Sequence, residues 1–169
     1  MTTRSLAAPF LLLLALVPAG CTRRPAGDDR PALVGAWRSS LRVESGALAG
    51  VKDLEFMYVF NGGGTMTESS NYDGAPPVPP AYGVWRAVGP REFEATYEYF
   101  ATRAPSGLAD LTGGGGWLPS GRGKFVERIR VSDAGDAFTS TLRYDLFDVT
   151  GKPMAGGGQA EGRAVRIGP

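Results

Sequence analysis

Arg91-Glu92-Phe93-Glu94-Ala95-Thr96-Tyr97-Glu98-Tyr99-Phe100-Ala101 alternates apolar and polar side chains with a period of two. Successive side chains of an extended strand point to opposite faces. Phe93, Ala95, Tyr97 and Tyr99 therefore share one face, and Glu92, Glu94, Thr96 and Glu98 the other. One buried face and one hydrated face are what an antiparallel sheet requires.

The same period recurs outward from this stretch in both directions. Gly89-Pro90 turns it back into a strand over 82–88. Upstream, Leu54, Phe56, Tyr58 and Phe60 alternate before Asn61-Gly62-Gly63-Gly64, residues that accept positive φ and mark a hairpin into 65–70. In the first strand Leu33, Gly35, Trp37, Ser39, Leu41 and Val43 share a face. Downstream, strands are predicted over 121–131 and 137–148, joined around Asp133-Ala134-Gly135-Asp136, with a closing strand over 159–167 after Gly151-Lys152-Pro153. No window shows helical periodicity. Some eight strands with short turns predict an all-β fold, either a sandwich or, as favoured here, an antiparallel up-and-down barrel of about eight strands. Closure removes the exposed edges of such a meander. Two longer connections interrupt it. Residues 71–80 carry Pro76, Pro77, Pro79 and Pro80 and should be stiff. Residues 104–120 carry the run Gly113-Gly114-Gly115-Gly116 followed by Trp117, and read as a lid over a barrel mouth or as a plain surface loop.

Composition limits the chemistry. The chain has 169 residues, a formal charge of +1, one Cys and no His. Near neutrality gives no general attraction to nucleic acid. Without His the usual general base, the commonest transition-metal ligand and the proximal ligand of globin-like haem sites are missing, and one Cys makes neither an internal disulfide nor a thiolate zinc cluster. The exclusions favour a binding module over an enzyme, and no cofactor is expected.

The first twenty residues differ from the rest. Arg4 precedes an apolar run over 6–17, about 18 Å as a helix and too short for a hydrocarbon core of about 30 Å. Residues 1–20 read as a signal peptide, 21–32 as a disordered tether rich in charge and Pro, and 33–169 as the barrel domain. Ala19-Gly20-Cys21 resembles the lipobox of bacterial lipoproteins, although Pro18 stands where leucine is usual. The resemblance implies acylation of Cys21, as by palmitate, and a membrane-anchored lipoprotein exported to the bacterial cell envelope. The alternative is an ordinary cleaved signal with an incidental cysteine.

Gly35-Ala36-Trp37 on a first strand, with an arginine on the last, resembles the signature of the lipocalin and wider calycin group of β-barrels, and more closely the small bacterial lipocalin-like proteins of uncharacterised function. The resemblance implies that an arginine packs over Trp37 and closes one end. Arg163 is the first candidate and Arg166 the second. It also implies an interior pocket for a small apolar ligand. Candidate lining residues are Phe56, Tyr58, Phe93, Tyr97, Tyr99, Glu127, Phe138, Leu142 and Tyr144, but such large side chains can equally fill the interior.

Other motifs fail on context. The glycine run lacks a βαβ setting, and neither a Walker A motif nor a Gly-x-Ser-x-Gly elbow occurs. Glu92, Glu94 and Glu98 share a wet face, where no enclosure raises a pKa for acid catalysis. Glu127 alternates with Phe125 and Ile129 and so points inward; Tyr58, Tyr99 or Arg86 satisfies it, or it binds a polar ligand head. Asp133 and Asp136 are too few for calcium, and no metal is assigned. The sequence thus predicts a monomeric, envelope-anchored barrel that binds or carries a small hydrophobic ligand. The alternatives are a filled barrel that contacts another envelope protein and, less favoured, a calycin-type enzyme using Tyr and carboxylate groups.

Overall fold

A computed structural model of the protein describes residues 31–72, 79–113 and 116–168. The segment 1–20 read as a signal peptide, Cys21, the segment read as a tether as far as residue 30, Pro76 and Pro77 of the connection expected to be stiff, and Gly114 and Gly115 lie outside the described residues.

The chain forms a closed antiparallel barrel in sequence order. Its strands are β1 (Gly35–Val43), β2 (Leu54–Phe60), β3 (Thr65–Ser70), β4 (Ala81–Gly89), β5 (Glu92–Arg103), β6 (Leu118–Val131), β7 (Ala137–Phe147) and β8 (Pro153–Arg166). Closure is made by β8 against β1, with Leu41 opposite Gly162 and Trp37 opposite Arg166. The up-and-down barrel is therefore the observed fold, and each of its eight described strands pairs with a neighbour on both sides.

Alternation decides what fills it. Phe93, Ala95 and Tyr97 of β5 are buried and face Ile129, Glu127 and Phe125 of β6 across the ladder. Outside, the wet-face glutamates pair with arginines of adjacent strands: Glu92 with Arg130 at 2.8 Å, Glu94 with Arg86 at 2.7 Å and Glu98 with Arg122 at 2.6 Å. Such exposed pairs are each worth at most about 1 kcal/mol, so the fold rests on the apolar interior.

Several elements extend beyond the predicted bounds. β5 runs on to Arg103, β6 begins at Leu118 and β8 at Pro153, while β1 starts at Gly35. The early part of β8 contains Gly156-Gly157-Gly158, which has no side chains to alternate. Glycine serves close packing there: a Cβ on Gly158 would fall 2.0 Å from the Ser45 carbonyl oxygen. The loop between Ala104 and Ser120 contains a one-turn helix, α1 (Leu108–Thr112), beside an Arg103–Asp110 ion pair of 2.8 Å. Five residues are too few for helical periodicity to register.

Candidate functional site

At one end of the barrel, Trp37 is fully buried and its Nε1–H donates to the Leu33 carbonyl at 2.8 Å. The guanidinium over its ring belongs to Arg166, 4.1 Å from the ring centroid. Arg166 also donates to the carbonyls of Ala32 (2.6 Å), Val34 (2.8 Å) and Gly135 (2.9 Å). The assignment of barrel closure to Arg163 is corrected accordingly. Arg163 lies opposite Ser40 and Thr139 on the outward phase of β8 and is exposed. Phe138, 5.0 Å from Trp37, and Phe93, 5.6 Å from Trp85, complete this closed end.

The middle of the barrel holds a polar cluster inside an aromatic shell. Glu127 is fully buried; its carboxylate accepts from Tyr97 Oη at 2.9 Å and, more weakly, from Tyr58 Oη at 3.4 Å. The two hydroxyls are 3.5 Å apart. Tyr58 and Tyr97, not Tyr99 or Arg86, satisfy the carboxylate; Arg86 is occupied outside by Glu94. Burial pushes the Glu127 carboxyl up, opposed by the neighbouring Ser140, Tyr97 and Tyr58 hydroxyls. Ser140 approaches without a hydrogen bond of full geometry, so its buried hydroxyl, like that of Ser39, lacks a partner.

Among the described residues the opposite end is open. A cavity of about 270 Å³ lies among Leu54, Phe56, Glu68, Tyr99 and Phe125, with Ser70 and Tyr72 near its mouth. Its wall is aromatic: Phe125 stacks on Tyr99 at 5.5 Å and meets Phe56 edge-on at 5.7 Å. Gly123 allows Tyr99 to lie flat against β6, since a Cβ there would fall 2.1 Å from the ring. The loop after β1 covers part of the opening and is tied down by Tyr144, whose hydroxyl accepts from the Leu48 amide at 3.0 Å and donates to the Ser45 carbonyl at 3.1 Å.

Glu68 is the one acid lining this cavity. It is 5% exposed, and its Oε1 has no hydrogen-bond partner. Burial, reinforced by the nearby Glu127 charge, pushes its pKa up to about 8. Among the described residues the buried polar side chains are Ser39, Glu68, Glu127 and Ser140, so the interior holds two acids and no base.

Of the predicted lining residues, Phe56 and Tyr99 border the cavity. Tyr58, Tyr97 and Glu127 lie deeper, Phe93 and Phe138 belong to the closed end, Leu142 is buried core, and Tyr144 holds the covering loop. Trp117 does not line the cavity. Glu68 and Phe125 were not among the candidates. For Glu68 the available signal was its phase with Met66 on a short strand. A larger depression, about 660 Å³, lies on the outer wall across β5 to β8. Its charged side chains face solvent, and Glu92, Glu94 and Glu161 already have arginine partners, so it offers no enclosed chemistry. Asp133 pairs with Arg91, and Asp136 accepts from Ser132 at 2.9 Å. No protein-family model matches the chain, and no curated protein matches it significantly in sequence.

Proposed function

We propose that this protein is a lipocalin-like, lipid-anchored barrel of the bacterial cell envelope that binds one small, mainly apolar ligand in its open end. The observation that carries this reading is the aromatic cavity of about 270 Å³ closed from below by packed side chains. Ligand pockets usually span about 300–1,000 Å³, so a cavity just below that range suits only a small ligand. The Gly35-Ala36-Trp37 motif with Arg166 across it supports the lipocalin-like assignment, and Ala19-Gly20-Cys21 supports the anchor.

One experiment reads both parts. Native mass spectrometry of the full-length chain, purified from membranes in a non-ionic detergent, should show acyl mass on Cys21 and a non-covalent adduct that is lost in Ser70→Trp, a variant that fills the cavity. An unmodified cysteine contradicts the anchor, and a ligand-free protein contradicts binding. A second reading, a filled barrel that contacts an envelope protein, draws on the exposed Met57, Val59, Tyr82 and Val84 on the outside of β2 and β4. It gains if the barrel is always empty.

A further inference from the structure

Resting on that ligand-binding reading, we infer that the open end selects an organic cation: a small ammonium whose apolar body lies among Leu54, Phe56, Tyr99 and Phe125, and whose charged head meets Glu68. A buried carboxylate oxygen without a partner is costly and needs an explanation. Here Oε1 is unpartnered, the residue is almost fully buried, and Glu68 lines the cavity that enters the interior at this end.

Among the described residues no protein group supplies the missing charge. Described arginines that form ion pairs do so on the outer wall, and Arg166 is held at the far end over Trp37. The second interior acid, Glu127, is occupied by Tyr97 and Tyr58 and adds negative potential instead of relieving it. Aromatic faces attract a desolvated ammonium through their quadrupoles, and Phe56, Tyr99 and Phe125 stand beside the carboxylate. A ligand with an anionic head brings no positive charge to pair with Glu68 and is repelled as the carboxyl ionises towards pH 8. A neutral one leaves both the carboxylate and the rings underused.

The arrangement couples binding to a proton. Groups that interact with Glu68 are Tyr58 from β2, Tyr97 and Tyr99 from β5 and Glu127 from β6; Tyr72, beyond β3, lines the same cavity, and Ala81 of β4 brings no charge. Tyr58, Tyr97 and Tyr99 are raised above the ordinary tyrosine value and stay neutral. Without ligand, Glu68 keeps its proton at neutral pH because its pKa is about 8. An ammonium that pairs with the carboxylate expels that proton to solvent, so affinity rises with pH up to about 8.

The test is calorimetric titration of the full-length chain in non-ionic detergent with 2-phenylethylamine, 2-phenylethanol and phenylacetate at pH 6, 7 and 8. The amine should bind roughly ten- to hundredfold more tightly than the alcohol at pH 8, the gain of a charge-assisted contact, and phenylacetate should bind weakest. Amine affinity should fall by more than about tenfold from pH 8 to pH 6, and at pH 7 binding should release close to one proton. Glu68→Gln should erase the amine preference and the proton release. If at pH 8 wild-type protein binds the alcohol as tightly as the amine, or phenylacetate more tightly, the cation inference is overturned while ligand binding stands. If none of the three binds, both are overturned.

Discussion

Arg166 covers Trp37 because it shares the inward phase of Ala160, Gly162 and Ala164, whereas Arg163 falls on the opposite phase and points to solvent. Three carbonyls accept from its guanidinium, and truncation leaves them and the tryptophan face uncovered. Arg166→Ala should therefore cost about 2–4 kcal/mol in urea denaturation, and Arg163→Ala no more than about 0.5 kcal/mol. Equal losses would refute the assignment. At Glu68 the folded pKa is raised from the ordinary 4.5 to about 8. The folded state holds this proton more tightly than the unfolded chain, so the stabilisation is complete below about 4.5 and is lost as pH rises through about 8. Over that window Glu68 contributes a fall of up to about 1.4 kcal/mol per pH unit. Denaturation at pH 5, 6.5 and 8 should show a shallower decline in Glu68→Gln than in wild type, with the raised Glu127 carboxyl adding a decline of the same sign to both. Parallel pH profiles would show that Glu68 does not hold its proton in the folded state.

At the scale of elements, side-chain alternation carried most of the fold. β5 was legible because Phe93, Ala95 and Tyr97 are buried while Glu92, Glu94 and Glu98 pair outside with arginines. The glycines of β8 and the single turn of α1 were not, since the first lack side chains and the second is shorter than one period window. β3 hid its acid for another reason. Thr65-Met66-Thr67-Glu68-Ser69-Ser70 reads as polar on both faces, and Met66 alone marks which face is inside. The loop covering the open end is held to β8 by backbone hydrogen bonds such as Ala47 N–H to the Gly156 carbonyl at 2.8 Å, and to β7 by the Tyr144 hydroxyl. Tyr144→Phe should release the Leu48 amide and the Ser45 carbonyl together, cost about 1–2 kcal/mol, and raise hydrogen exchange at Leu48 while leaving the closed end protected. Unchanged exchange at Leu48 would mean that other contacts hold the loop.

For the whole molecule, the choice between a filled and an open interior resolves by position along the barrel axis. Trp37, Tyr58, Tyr97 and Phe138 pack the closed end and the middle, whereas the cavity occupies the far end beside Phe56 and Tyr99. The sequence shows which side chains point inward, but free volume depends on how their sizes match across facing strands, and no single strand records that. The cavity is the central functional claim, and mapping amide shifts by ¹H–¹⁵N NMR of the full-length chain in detergent tests it most directly. Titration with 2-phenylethylamine should move the amides of Leu54, Ser70, Tyr99 and Ala101 around the cavity and leave those of Trp37 and Phe138 in place. Shifts confined to the outer wall, or none at all, would contradict it.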